Sequence, residues 1–389
     1  MVFVYFDKKY SWHAHFHMAL LRGGNLSEID HYCRHLKGLQ HLEGDEAAQA
    51  WFDAWYRLAD HVETLARADE DAGHNRSAGH KYARASVYYF SAEKMLNPAD
   101  THKEEAYDRA LATFRKGVTL GGEAIEFVTV PFAGAALPAL FVPAKGMEPS
   151  RSLLHFNGWD GTKEIVYQRV SNEFRERGTA LLIVDHGGTG EALRKQDLHL
   201  RPNTEAVATA CLDYLMSRPE IDPNRIGVLG IAVGSYHAAR AAAFEKRLRC
   251  AVSWGGYWEP APDLVRVDKR VDLESIPTFH NMWVTGTQSA EEAAAILRQF
   301  TLESIMPKIT CPLLVVAGES DRRQGLTHAQ RQAAAATSSP RVDLRIFTEE
   351  EGGAEYCQND NPSLGLDFVA DWTTAVLDAS SSPAGRQAA

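Results

Sequence analysis

The run that comes nearest to a reactive geometry is Gly230-Ile-Ala232-Val-Gly234-Ser-Tyr-His237, which follows the apolar stretch Ile226–Leu229 and opens into an alanine-rich segment. A strand that turns sharply into a helix through Gly-x-Ser-x-Gly lifts its central hydroxyl above a sheet, at the positive end of the helix; this is the nucleophile elbow. The glycines here permit that turn, but its central residue is Ala232, and a methyl group attacks nothing. What the turn would keep is the N–H of Val233, an expected oxyanion donor. Ser235 falls one turn into the helix and reads as a hydroxyl packed against the elbow rather than a displaced nucleophile.

Four further segments carry polar groups at strand ends. His155-Phe-Asn157-Gly158-Trp159-Asp160 follows the apolar run Leu153–Phe156, and its backbone is expected to offer a second oxyanion N–H from Gly158 or Trp159, with Asn157 beside the substrate. An ordinary strand-to-helix loop accounts for the same residues equally well. Asp185-His186-Gly-Gly-Thr-Gly190-Glu191 is rich in glycine, which lets backbone approach closely, yet it lacks the Lys-Ser/Thr ending of a phosphate-binding loop. His186 is read as a base, a substrate ligand or a solvated loop imidazole; Glu191 and Tyr236 are expected to touch substrate. Gly318-Glu-Ser-Asp321 ends another apolar run, where the acid of a Ser…Asp…His chain order belongs, so Asp321 is the expected acid. The histidine of such an order belongs in Glu351-Gly-Gly-Ala-Glu-Tyr356-Cys-Gln358, and the residue read there is Tyr356, a poor base at neutral pH but a good hydrogen-bond donor.

These groups need a sheet to hold them. Ala124–Val130 and Ala136–Val142 read as a hairpin around Gly134, and Leu153–Phe156, Ala180–Val184, Ile226–Leu229, Ala251–Trp254 and Leu313–Val316 as buried parallel strands. Helical spacing fills 163–177, 204–217, 234–246 and 326–336, and Leu344–Phe347 with a helix over 364–377 closes the series. That alternation predicts an α/β fold with a doubly wound, mostly parallel sheet. Residues 1–118 read as a helical cap or lid: Trp51, Trp55, Leu58, Val62 and Leu65 recur at helical spacing, as core or as pocket lining. The core is expected over 119–378, with an insertion at 257–305 near the mouth of the site and a disordered tail at 379–389.

The chain has 389 residues, 45% hydrophobic and 24% charged, which suits a soluble globular protein. A net charge of -10 disfavours nucleic acid and anionic membranes as partners. Five scattered cysteines without CxxC or Cys/His spacing read as reduced thiols, and no secretory signal or stretch of about 20 apolar residues is visible, so a cytoplasmic location is expected. No cofactor pattern stands out, neither flavin, nicotinamide nor metal. The expected partner is a small-molecule substrate, and a homodimer is left open.

Arg201-Pro…Glu205…Asp213-Tyr-Leu…Arg218-Pro-Glu…Asp222-Pro-Asn-Arg-Ile-Gly, Gly234–Arg247, Ile309–Val316 and Gly353–Gln358 together resemble the FrsA-like branch of the α/β hydrolases, over roughly residues 120–378 and more loosely in the helical part. The resemblance implies an α/β-hydrolase fold with an N-terminal helical lid and cleavage of carbon–carbon bonds in β-dicarbonyl or aryl-ketone substrates by a Ser-His-Asp triad. Carried over, the acid falls on Asp321 and the oxyanion donors on Val233 and the Asn157–Trp159 loop, while nucleophile and base fall on Ala232 and Tyr356, which do not match. An engineered serine-to-alanine change would account for Ala232 but not for Tyr356, so natural divergence is the simpler account. The expected activity is therefore that of a lyase: carboxylate elimination or related enolate chemistry on a polyketide-like metabolite, as in the α/β-hydrolase-like acetate-eliminating enzyme of tetronate biosynthesis, with Asp321 or else His186 removing the proton and Tyr356 bonding the leaving group or orienting the base. The alternatives are a serine hydrolase seen as its alanine variant, with His186 or His237 as base, and a non-catalytic binding protein.

Overall fold

The computed structural model describes residues 3–146, 148–159, 161–259 and 279–379. The chain divides into two compact units, one covering Met1–Ile125 with the described part of Asp268–Trp283, the other Glu126–Val267 with Val284–Ala389.

Five long or medium helices make up the first unit: α1 Tyr10–Leu20, α2 Leu26–Cys33, α3 Gly44–Asp71, α4 Asn75–Glu93 and α5 Thr101–Gly121. α3 presents Trp51, Trp55, Leu58 and Val62 along one stripe, all fully buried; toward α4, the Trp55 ring lies 6.1 Å from that of Tyr88 and Trp51 Nε1 donates to Ser91 O at 2.8 Å. Leu65 was expected on the same stripe but is 40% exposed; Ala66 takes the inward position, because 3.6 residues per turn carry the buried stripe from Val62 to 66. Glu63 is paid for in this core by three partners: the Tyr89 hydroxyl at 2.8 Å, Arg109 at 2.5 Å, and Arg67.

The second unit is built on eight strands: β1 Glu126–Phe132, β2 Ala135–Val142, β3 Ser150–Phe156, β4 Thr179–Val184, β5 Ile221–Ile231, β6 Ala251–Trp254, β7 Leu313–Gly318 and β8 Val342–Phe347. They form one sheet in the order β1-β2-β4-β3-β5-β6-β7-β8. β1, β2 and β4 pair antiparallel, and every pairing from β4 across to β8 is parallel. β3, β4, β6 and β7 are buried along their whole length, as parallel strands covered on both faces must be. The helices that follow in the chain are α6 Lys163–Glu176, α7 Gly190–Gln196, α8 Glu205–Met216, α9 Gly234–Phe244, α10 Phe279–Thr285, most of which falls in the first unit, α11 Ala290–Leu297, α12 Leu326–Ala335 and α13 Pro362–Ala379. α6 packs on β4 and against α13, while α8 and α9 pack together over β5.

β3 is followed on one side by β4 and on the other by β5, so the chain reverses its direction of travel across the sheet there. The carboxyl ends of β3 and β5 therefore flank the crevice in which such sheets bind ligands. Of the insertion expected at 257–305, α10 and α11 lie between β6 and β7, and residues 260–278 lie outside the described residues, as do Asp160 and the tail beyond 379.

Candidate functional site

β5 ends in a turn whose tip, Ala232, has φ 60°, a left-handed conformation that non-glycine residues rarely adopt. The flanking glycines are sterically required: a Cβ on Gly230 would sit 1.8 Å from the Gly234 carbonyl oxygen, and one on Gly234 2.4 Å from that of Phe156. The Ala232 N–H donates to Trp254 O at 2.9 Å, and Ser235 N–H donates back to Ala232 O at 2.9 Å, so the turn is tied to β6 and to the first turn of α9. Ser235 does not face this tip; its buried hydroxyl accepts from Tyr257 N–H at 3.0 Å.

The loop after β3 runs directly beside the turn. A Cβ on Gly158 would lie 3.1 Å from Ala232 Cβ and 3.8 Å from Val233 N. Gly158, Trp159, Val233, His186 and His237 line one narrow recess, with Gly188, Thr189, Leu200 and Val284 closing it.

His186 is fully buried, not a solvated loop histidine as one sequence reading had it. β4 delivers it to the crevice, and Thr189 Oγ1 holds its N–H at 2.7 Å. Its Nδ1 faces the Gly187 carbonyl at 3.1 Å, which fixes the proton there. Nε2 has no hydrogen-bond partner. Burial pulls the imidazole down to about 4, with the Gly187 and Asn157 carbonyls opposing, so the ring is neutral at pH 7. Edge-on to it at 4.7 Å stands His237, whose Nδ1 meets Thr204 Oγ1 at 2.9 Å. Burial holds His237 well below its ordinary value.

Beneath the recess lies a buried ion cluster that the sequence reading missed. Lys163 Nζ reaches Asp185 at 3.0 Å, Glu164 at 2.7 Å and Glu191 at 2.5 Å. Asp185 also accepts from Asn157 Nδ2 at 3.0 Å, Lys163 N–H at 2.9 Å and Glu191 N–H at 3.0 Å. One carboxylate thus joins the loop after β3 to the loop after β4. Burial lowers the Lys163 pKa, but Asp185, Glu164 and Glu191 outweigh it and keep the ammonium charged. The side chains of Asn157 and Glu191, expected to contact substrate, are engaged in this cluster instead. Tyr236, expected likewise, is fully buried and donates its hydroxyl to Pro202 O at 3.0 Å; its neighbour His237 lines the recess.

Asp321 and Tyr356 interact at the ends of β7 and β8 and are not among the residues that line the recess. Asp321 Oδ1 accepts N–H bonds from Arg323 at 2.8 Å and Gln324 at 3.1 Å. Burial raises its pKa against those donors. Arg323 stands 5.0 Å over the Tyr356 ring, and burial pushes that phenol well above its usual range. Two residues on this loop escaped the sequence reading. Glu355 feels Asp321 and Asp360, and burial leads in raising its carboxyl. Cys357 places its thiol beside the Ala232 N–H, and burial pushes the thiol up to about 12. Among the described residues no group of three or more His, Cys, Asp or Glu could hold a metal ion, and no helix is long and apolar enough to cross a membrane.

Residues 46–260 match the profile of the FrsA-like esterases and residues 167–380 that of the prolyl oligopeptidase family. Among curated proteins, the α/β hydrolase xenA of Xenoacremonium sinensis is 28% identical over 69% of this chain and 72% of its own length. The 2,6-dihydropseudooxynicotine hydrolase of Paenarthrobacter nicotinovorans is 26% identical over 70% of this chain and 71% of its own. In structure, the 2,6-dihydroxy-pseudo-oxynicotine hydrolase superposes with a TM-score of 0.76 at 24% identity, covering 94% of this chain and 96% of that one. AbyA5 does so with a TM-score of 0.59 at 18% identity, over 92% and 98%.

Proposed function

Since the chain belongs to the FrsA-like esterase family and carries the α/β-hydrolase fold, we propose that it is an enzyme that has exchanged covalent hydrolysis for enolate chemistry, a lyase acting on a small polyketide-like carbonyl compound. The observation that carries this reading is the recess itself. Val233 of the elbow and Gly158 and Trp159 of the β3 loop line it beside His186, whose buried Nε2 has no hydrogen-bond partner, while the elbow tip holds a methyl group.

The reaction needs only these parts. His186 Nε2 removes the proton α to a carbonyl. The C–H electron pair becomes the enolate π bond, and the N–H of Val233 with that of Gly158 or Trp159 holds the oxygen as charge builds; losing one such donor costs about 3 kcal/mol of barrier. Return of the electron pair forms a carbon–carbon double bond and expels a carboxylate from the β carbon. The Gly187 and Asn157 carbonyls favour the protonated ring, which returns its proton to the leaving carboxylate or to water. Asp321 and Tyr356 do not line the recess, so neither is assigned as the base.

The test is solvent deuterium uptake. A saturated ketone analogue without a leaving group, incubated in D2O with the protein and read by proton NMR, is expected to exchange its α proton, and the His186→Gln variant to lose that exchange by about a hundredfold or more. Tight binding of the analogue without exchange, or equal exchange by His186→Gln, would overturn the assignment.

A further inference from the structure

Cys357 and Gln358 are consecutive residues with φ 52°, both left-handed and neither a glycine. Such a pair persists only when its surroundings dictate it. The groups that do so can be named. Arg169, on α6, donates from Nη2 to the Cys357 carbonyl at 2.8 Å. Its guanidinium lies 5.6 Å from the Trp254 ring, and Trp254 Nε1 in turn donates to Gln358 Oε1. The Cys357 thiol reaches the Trp254 carbonyl at 3.8 Å, the same oxygen that receives the Ala232 N–H. Gly365 leaves room for this lock, since a Cβ there would lie 2.6 Å from the Trp254 ring and 3.2 Å from Gln358 Oε1. Among the described residues no carboxylate pairs with Arg169, although burial would favour one. Among the described residues the hydrogen bond it makes goes to a carbonyl on the strained pair.

We propose that Arg169 is a positioning residue: by gripping the Cys357 carbonyl from α6 it holds the left-handed pair, and with it the loop bearing Glu355 and Tyr356, in register against the Ala232 turn. The geometry runs through backbone, so the side chain at 356 is aimed by Arg169 without touching it. The catalytic relevance of that aim rests on the enolate reading, but the clamp can be tested without any turnover.

The probe is alkylation of Cys357 by iodoacetamide in the native protein, read peptide by peptide by mass spectrometry beside Cys33, Cys211, Cys250 and Cys311, which are all buried and free. Arg169→Met is expected to raise the Cys357 rate about tenfold and leave the other four unchanged, because only the local opening becomes easier. Arg169→Lys keeps one N–H donor for the carbonyl and is expected to restore slow alkylation. In the Arg169→Met/Gln358→Gly protein, a glycine adopts the second left-handed position without a clamp, and protection is expected to return in part. Unchanged Cys357 reactivity in Arg169→Met, as follows if Arg169 serves only to bind an anionic substrate, would overturn the proposal. So would equal acceleration at all five thiols, which marks a general loss of stability. Should Arg169→Met not fold, Arg169→Ala, which leaves room for water in place of the side chain, is read instead: a rise of about tenfold at Cys357 alone is expected, and an unchanged rate overturns the proposal.

Discussion

Ala232 and Gly158 touch: a methyl grafted onto Gly158 would stop 3.1 Å from Ala232 Cβ and 3.0 Å from the Ile231 carbonyl oxygen. The β3 loop can approach the elbow this closely because one side of the contact has no side chain and the other only a methyl. Gly158→Ala is therefore expected to push the loop off the elbow, costing about 1–3 kcal/mol in urea unfolding and weakening ligand binding in the recess at least as much. A variant with unaltered stability and binding would show that the two loops adjust freely.

Restoring a hydroxyl should not restore a hydrolase. In Ala232→Ser the new oxygen would stand on the turn whose N–H faces the Cys357 thiol, which burial pushes up to about 12, and the adjoining residue Tyr356 is a phenol likewise raised by burial, so neither is ionised at neutral pH. Without a base, a triad serine loses most of its rate. Ester hydrolysis by Ala232→Ser is expected to stay within about tenfold of the parent, with no adduct to a fluorophosphonate by intact mass. Rapid labelling would mean that another group serves as the base.

Three buried imidazoles predict how stability depends on pH. Burial holds His155 at about 3, His186 at about 4 and His237 well below its ordinary value. The unfolded chain titrates them near 6.5, so between there and about 4 the unfolded state binds more protons, and stability falls as pH falls. Each histidine contributes a slope of about 1.4 kcal/mol per pH unit in that window. Urea midpoints taken from pH 7.5 to 4.5 are expected to be level above 7 and to drop steadily below 6.5. His155→Leu, which removes a ring with neither nitrogen bonded, is expected to flatten that limb by one proton. A pH-independent midpoint would contradict the burial of neutral rings.

The ion cluster should be costly to break. Lys163 and Asp185 are 2% and 0% exposed, so Lys163→Met leaves Asp185, Glu164 and Glu191 facing one another without a cation. A loss of about 3–5 kcal/mol is expected. Both strand-end loops should loosen with it, read as faster amide exchange over 157–163 and 185–191. A stable variant with ordered loops would show that Asp185 alone suffices.

Much of the α/β unit could be read from residue pattern, because buried parallel strands announce themselves as apolar runs: β6 falls on Ala251–Trp254 as expected, and β3, β4 and β7 lie within three residues of their expected starts. The elbow glycines were equally legible, since no other residue fits where they stand. What could not be read were partnerships across distance. Lys163 looks like one more surface lysine until Asp185 and Glu191 are folded onto it. Arg169 looks like a solvated helix charge until Cys357 arrives 188 residues later. Tyr236 and His237 are neighbours in sequence, yet helical rotation sends one hydroxyl to Pro202 and the other ring to the recess. His186 read as solvated because glycine-rich loops usually are, and only the return of Leu198–Leu200 over the loop, with Gly188 N–H on the Leu198 carbonyl at 2.7 Å, buries it.

The most direct measurement of the central claim is the fate of oxygen. A β-acetoxy ketone, or an acetylated tetronate, is incubated with the protein in water enriched in oxygen-18, and the products are read by mass spectrometry. Elimination breaks the bond between the β carbon and oxygen, so the account predicts unlabelled acetate together with an unsaturated ketone. Acetate carrying one heavy oxygen, alongside a β-hydroxy ketone, would mean attack at the acyl carbon and would contradict it.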